Sequence, residues 1–126
     1  MRKTKLPTVQ HLIINAQGVL RASDEVLFAT QTPHFERIIG VFPFLESVFS
    51  QLIGLTPNQP SFVFMGITQP NTVLKGCYDF YFSYISYQNE DCIEWRIEDR
   101  TAHYARLSTT QQQAYDTIIA QERNSK

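Results

Sequence analysis

The stretch Cys92 to Thr101, C-I-E-W-R-I-E-D-R-T, changes within ten residues from a strand pattern to a helix start. Large apolar side chains at Ile93, Trp95 and Ile97 alternate with charged ones. Alternation with a period of two is typical of a strand that has one buried face and one solvent face. The stretch therefore predicts a strand, Cys92–Glu98, that leads directly into a helix.

The helix start is predicted from Asp99 and Thr101, whose side chains can accept hydrogen bonds from the free N–H groups of a first helical turn. Residues 102–126 contain no Gly or Pro, which predicts a C-terminal helix that continues in a longer protein. Spacings of three and four separate five of its residues: Tyr104, Leu107, Gln111, Ala114 and Ile118. This is the spacing of a coiled-coil seam, so we expect a homodimer, with packing against the domain's own sheet as the alternative.

Four more strands are expected upstream, with two short helices between the second and the third. The strands are Val9–Asn15, Val19–Ala22, Ser61–Thr68 and Val73–Tyr87, with polar turns at residues 15–18 and 88–91. The helices start at Thr32-Pro33 and at Pro43, and end at Gly40 and at Gly54, the latter as a left-handed cap. Helices grouped between runs of strands predict an α+β domain with a five-stranded antiparallel sheet. We divide the chain into a leader (1–8), this domain (9–101) and the C-terminal helix (102–126).

Composition narrows the class of protein. The chain has 126 residues, is 43% hydrophobic and carries a formal net charge of −1, which suits one globular domain and gives no electrostatic basis for binding nucleic acid or an anionic membrane. With no signal peptide and no membrane-spanning apolar run, we expect a cytoplasmic protein. Cys77 and Cys92 lie too far apart to form a zinc motif, and no metal site is predicted.

The chain resembles a PAS domain, the sensory module of bacterial signalling proteins, over nearly its whole length. The resemblance rests on the hairpin turn at residues 15–20 (N-A-Q-G-V-L), on the short helices around Gly40 and Pro43-Phe44, and on Asp99-Arg100-Thr101, which is similar to the Asp-x-Thr motif that ends the family's last strand. It implies a five-stranded antiparallel sheet with helices on one face. It also implies a C-terminal helix that passes a signal through Asp99 and Thr101 to an output domain such as a kinase or cyclase. The residues after the first hairpin, Arg21 to Glu25, depart from the commoner family pattern.

The resemblance implies a pocket between the sheet and the short helices. Its expected lining residues are Phe64, Phe80, Phe82, Ile93, Trp95 and Ile97. Aromatic side chains at this density either line a small-molecule site or fill the core, and filling is favoured. No cofactor is predicted, because both cysteines fall on strands rather than in the helical context of a flavin photosensor. His34, beside Pro33, is a weak candidate for a haem ligand, and neither His11 nor His103 has a partner at ligand spacing.

No enzyme is predicted, because the adjacent carboxylates Asp24-Glu25 and Glu90-Asp91 lie in turns, where acids are usually solvated. We therefore expect a sensory and dimerisation module of a larger cytoplasmic signal-transduction protein. The alternatives are a ligand-free dimerisation spacer and, less favoured, a small α+β ligand-binding protein or enzyme.

Overall fold

The computed structural model describes residues 8–30, 36–69 and 72–124, without the side chains of residues 121–124. Its elements in chain order are β1 (Val9–Asn15), β2 (Leu20–Ser23), a 3-10 turn (Ile38–Gly40), α1 (Pro43–Leu52), β3 (Phe62–Thr68), β4 (Cys77–Tyr87), β5 (Glu90–Asp99) and α2 (Thr101–Asn124). The strands form one antiparallel sheet in the order β2-β1-β5-β4-β3. The predicted α+β class, with five antiparallel strands and a C-terminal helix, is confirmed.

The last strand in the chain is the central strand of the sheet. β5 pairs with β1 from Val9–Glu98 to Asn15–Cys92 and, on its other edge, with β4 from Tyr78–Asp99 to Tyr87–Glu90. Because β5 has a neighbour on both sides along most of its length, its position is fixed by two hydrogen-bonded ladders. The helix that follows it therefore starts from the most constrained strand of the sheet.

The hairpin between β4 and β5 is tighter than predicted. Gln88 and Asn89 have φ values of 50° and 62°, so both lie in the left-handed region. A two-residue turn of this conformation matches the right-handed twist of its strands. The expected four-residue turn at 88–91 is thus wrong, because Glu90 and Asp91 already pair with residues of β4. As a result β5 begins two residues earlier than predicted, and it ends one residue later, at Asp99.

β4, in contrast, begins later than predicted, at Cys77 rather than Val73. Leu74 is buried at 1% exposure, so its apolar character serves packing rather than strand pairing. At Gly76 the backbone N–H donates to the Tyr78 hydroxyl at 3.1 Å instead of to a neighbouring strand. Before Cys77, Leu74 therefore packs a connecting segment onto the core, whereas Val73 is 46% exposed.

Among the glycines of the described residues, Gly18 and Gly66 have a left-handed φ, and Gly54, which was predicted to have one, does not. Gly18 has φ 79° in the β1–β2 turn, and Gly66 has φ 68° within β3. Gly54 has no left-handed φ; α1 ends at Leu52, and the Gly54 N–H donates to the Gln51 carbonyl at 3.3 Å. The helix thus closes by a tight right-handed turn, and the predicted left-handed cap is wrong.

The first predicted helix falls partly outside the described residues, since positions 31–35 include its start at Thr32-Pro33. The part that is described is the 3-10 turn Ile38–Gly40, which ends at the predicted glycine. The predicted leader also lies outside the described residues, apart from Thr8. β2 is shifted by one residue at each end relative to the prediction.

The core lies between α1 and one face of the sheet. Its α1 residues are Leu45, Phe49 and Leu52, and its sheet residues include Leu12, Ile14, Phe80, Phe82, Trp95 and Ile97, all of them buried. The 3-10 turn contributes Ile38, which is fully buried against the same cluster. None of the helices in the described ranges carries an apolar stretch sufficient to cross a bilayer.

Candidate functional site

The six residues predicted to line a pocket all lie in one cluster on the inner face of the sheet. Phe80, Phe82, Ile93, Trp95 and Ile97 are at most 4% exposed, and Phe64 is partly buried. Alternation along β4 and β5 puts the five side chains of these two strands on the same face of the sheet.

Aromatic rings occupy the space around Trp95. Its ring centroid lies 5.1 Å from Phe80, 5.3 Å from Phe42 and 5.6 Å from Phe82. The first two contacts are edge-to-face and the third is stacked, which are the favoured geometries of aromatic pairs. Around this residue the rings pack on one another, as a filled core requires.

One polar atom in this cluster lacks a partner. Trp95 Nε1 is buried and has no hydrogen-bond acceptor among the described residues. A buried donor without an acceptor destabilises a fold by about 1–3 kcal/mol. The acceptor oxygen of a ligand or a water molecule would remove that penalty, so this N–H is the polar feature of the core that a small molecule could use.

The junction between β5 and α2 is built from Asp99, Arg100 and Thr101. Asp99 Oδ1 accepts hydrogen bonds from the Thr101 N–H at 3.0 Å and from the Thr101 hydroxyl at 2.7 Å. The Thr101 Oγ1 also accepts from the Cys77 N–H at 3.0 Å, and the Arg100 N–H donates to the Cys77 carbonyl at 2.9 Å. Asp99 thus caps the helix as expected, whereas Thr101 binds the first residue of β4 rather than a helical N–H.

Gly76 makes this arrangement possible. A Cβ at this position would collide with Thr101 Oγ1 and would lie 3.2 Å from the Thr101 Cβ. Glycine is therefore required by the close approach of the helix start to the segment before β4.

A second contact holds α2 one turn further along. The Tyr104 hydroxyl donates to Asp79 Oδ1 at 2.7 Å, and the Gly66 N–H donates to the same oxygen at 3.0 Å. Asp79 is only 2% exposed, and Arg100 Nε lies 3.8 Å from its Oδ2. The hydrogen bond to Asp79, with burial second, raises the pKa of Tyr104 to about 12. The phenol therefore remains a donor over the whole ordinary pH range.

Sequence reasoning missed Asp79 and assigned Tyr104 to a dimer seam. The structure places Tyr104 against its own sheet, which is the alternative that the spacing left open at this position. The other four seam residues, Leu107, Gln111, Ala114 and Ile118, are exposed. The available signal for Asp79 was a lone acid inside the aromatic run C-Y-D-F-Y-F, with no turn residue beside it.

The cysteines offer little nucleophilic chemistry. Both lie on strands, Cys77 in β4 and Cys92 in β5, and both are free thiols. Burial, followed by the hydrogen bond to Glu90, raises the pKa of Cys92 to about 11. Burial also raises the pKa of Cys77, with Asp79 as the next cause. At neutral pH both residues are therefore thiols rather than thiolates.

The two histidines of the described residues, His11 and His103, have different neighbours. His11 Nδ1 lies 3.1 Å from Asp24 Oδ2 at the surface. The His103 ring packs edge-to-face with the Tyr104 ring. His34 lies outside the described residues. Across the ranges that the structure describes, no group of three or more His, Cys, Asp or Glu is arranged to hold a metal ion.

The adjacent acids have separate structural partners. In the first pair, Asp24 contacts His11, and Glu25 Oε2 accepts a hydrogen bond from the Thr30 N–H at 2.8 Å. In the second pair, Glu90 Oε1 lies 3.5 Å from Arg21 Nε. Asp91 Oδ1 accepts from the Tyr84 hydroxyl at 2.6 Å.

Gln10 is a fully buried polar residue that the sequence pattern did not reveal. Its Oε1 accepts hydrogen bonds from the backbone N–H groups of Leu27 and Phe28, at 2.7 and 2.8 Å. Its Nε2 donates to Ser23 Oγ at 2.8 Å and to the Phe28 carbonyl at 3.2 Å. One side chain thereby fixes the loop that leads from β2 towards the short helices.

Comparisons of the chain with models of protein families, with curated proteins and with solved structures each find no match.

Proposed function

We propose that this chain is a PAS-like sensory and dimerisation module of a larger cytoplasmic signal-transduction protein. The observation that carries the proposal is the direct passage from β5 into α2, with Arg100 alone between the end of the strand and the start of the helix. Since β5 is the central strand, any distortion of the core is transmitted to the helix start without an intervening flexible loop. The five-stranded antiparallel sheet with α1 on one face also agrees with the fold that the resemblance implies.

In this proposal the signal is a shift between two arrangements of α2 relative to the sheet. The Asp99 carboxylate and the Thr101 hydroxyl hold the helix start against Cys77, so they are the proposed transmission residues. A small-molecule ligand would have an apolar body and an acceptor oxygen for Trp95 Nε1, the buried donor that lacks an acceptor among the described residues. Its effect would reach Asp99 along β5.

A second copy of the chain is the proposed partner, through α2. Leu107 and Ile118 are 44% and 54% exposed, and with Gln111 and Ala114 they are the exposed members of the predicted seam, whose fifth member, Tyr104, contacts the sheet. Apolar side chains at this spacing are buried when two helices pair. The output domain, a kinase or a cyclase, would follow in the full-length protein.

The test of transmission is Asp99→Ala in the full-length protein. We expect the response of the output domain to be lost while the fold is kept, because an N-cap of this kind contributes about 1 kcal/mol. Asp116→Ala, on the exposed surface of α2, is the matched control. An unchanged response in Asp99→Ala would contradict the proposed route.

A ligand-free dimerisation spacer is the second candidate, and the ring packing around Trp95 favours it. Native mass spectrometry of the purified protein separates the two. A bound small molecule, lost on denaturation, supports the sensor. A dimer whose mass equals two bare chains under every condition supports the spacer.

A further inference from the structure

We propose that Asp79 couples strand β3 to helix α2, so that a displacement of β3 at Gly66 changes how firmly the first turn of α2 is held. The inference rests on the proposed function, in which α2 carries the output. It adds a second route to the helix, and it assigns the start of that route to an edge strand of the sheet.

The coupling depends on a single oxygen atom. Asp79 Oδ1 accepts both from the Gly66 N–H of β3 and from the Tyr104 hydroxyl of α2, at 3.0 and 2.7 Å. The carboxylate is almost fully shielded from water, so a lost donor is not replaced by solvent. A movement that weakens one of the two hydrogen bonds therefore shifts the oxygen atom and changes the strength of the other hydrogen bond.

Gly66 is the place where β3 departs from regular pairing. The register with β4 shifts between Phe64 and Ile67, and the φ of Gly66 is 68°. A bulge of this kind bends a strand locally and is common at sheet edges. Val63 and Met65, on either side of Phe64, are 48% and 66% exposed, so this edge strand is accessible from outside the domain.

Besides its hydrogen bond to Asp79, α2 also lies close to the bulge at Gly66. The Tyr104 ring lies 3.7 Å from the position that a Cβ would take on Gly66. A shift of the β3 backbone at this point therefore meets the aromatic ring directly, in addition to moving the Asp79 oxygen.

The Asp79 contact differs in effect from the Asp99–Thr101 cap. Thr101 ties the very start of α2 to Cys77, and a helix held at one point can still pivot. Tyr104, one turn later, provides the second point of attachment, and two points fix a direction. The Asp79–Tyr104 hydrogen bond is thus the contact that sets the angle of α2 to the sheet.

The first test compares Tyr104→Phe with Tyr115→Phe, which removes a hydroxyl from a tyrosine of α2 that is 60% exposed. The measurements are amide hydrogen exchange by NMR and residual dipolar couplings of α2 relative to the sheet. For Tyr104→Phe we expect exchange at 104–107 and at the Gly66 amide to become about tenfold faster, as for a lost hydrogen bond to a charged group. The residual dipolar couplings should show a changed orientation of α2 relative to the sheet. Exchange at the β5 core amides should stay as in the parent, and so should every measurement on the Tyr115→Phe protein.

Two results would overturn the inference. Unchanged exchange at 104–107 would show that the hydroxyl does not hold the helix. An equal acceleration in α2 and in the β5 core would show that Tyr104 contributes to stability only.

The second test asks whether the disturbance travels from β3. Gly66→Ala should speed exchange at 104–107 several-fold in the parent and less than twofold in Tyr104→Phe, because the connection is already lost there. Equal effects in both backgrounds refute the coupling. If Gly66→Ala does not fold, Gly66→Asn replaces it with the same two expectations, because asparagine tolerates a left-handed φ better than other residues that carry a Cβ.

Neither test uses a ligand or an output domain. A failure of the coupling therefore leaves the sensor proposal standing, and an absent ligand or dimer leaves the coupling result standing.

Discussion

Replacing Gly76 by alanine tests how closely α2 is bound to the sheet. The added methyl group would collide with Thr101 Oγ1. The backbone at Gly76 is itself held, because its N–H donates to the Tyr78 hydroxyl at 3.1 Å. The Thr101 side chain must therefore move, and its hydrogen bonds with Cys77 and Asp99 are lost.

The expected change in the free energy of unfolding follows from these contacts. Each of the two hydrogen bonds contributes about 1 kcal/mol net, and the one to the ionised carboxylate somewhat more. Against this loss, alanine reduces the entropy of the unfolded chain and stabilises by about 0.4–1 kcal/mol. We expect Gly76→Ala to lower the free energy of unfolding by about 1–2 kcal/mol.

Urea denaturation followed by circular dichroism measures this change, with two reference variants. Gly40→Ala is the control, because a Cβ at Gly40 meets nothing within 4 Å and Gly40 has no left-handed φ. Thr101→Val removes the same two hydrogen bonds while keeping the shape of the side chain, and it lacks the gain from alanine, so it should lose about 0.4–1 kcal/mol more than Gly76→Ala. A Gly76→Ala protein as stable as Gly40→Ala would refute this account of the junction.

Three further predictions concern groups that the structure shields. Tyr104 should titrate near pH 12 in ultraviolet difference spectra against Tyr104→Phe, and Asp79→Asn should lower that pKa. Folding raises the pKa of Tyr104, so the contribution of its protonated hydroxyl to stability is complete below the pKa of the unfolded chain, about 10. That contribution is lost as the pH rises through the pKa of the folded protein. In native protein at pH 8, iodoacetamide should modify Cys92 more slowly than the less buried Cys77, as read by peptide mass spectrometry; equal rates would contradict the burial of Cys92. Gln10→Ala should destabilise by about 2–4 kcal/mol in urea denaturation, since two loop N–H groups lose their acceptor; a loss below that of Gly76→Ala would argue against it.

The strands were predictable where alternation and turn chemistry coincide. Ile93, Trp95 and Ile97 identify both the existence of β5 and the face that it buries, because a one-residue shift would expose all three. The same pattern did not predict the start of β4, because Leu74 is buried without pairing in a strand and Val73 is 46% exposed. The local sequence pattern indicates which residues are buried. It does not distinguish a hydrogen-bonded strand from a connecting segment that packs on the core.

The contacts that hold α2 were less accessible to prediction. The Asp99 cap lies within two residues of the helix start, so it follows from local sequence. The contact between Tyr104 and Asp79 joins residues 25 positions apart, and it depends on the bulge that turns the Gly66 N–H towards the acid. No single-sequence pattern contains that geometry, because the pairing register of β3 with β4 arises only in the folded sheet.

The central place of β5 also has a consequence for how the domain folds and opens. The β4–β5 hairpin is local and closes through a two-residue turn, whereas Leu12 meets Trp95 across most of the chain. Contacts between distant segments form late because the intervening chain must first be ordered. We therefore expect the β1–β2 hairpin to dock last during refolding. By the same reasoning it would be the first to detach in the native state, uncovering one edge of β5 while the β4–β5 hairpin stays closed.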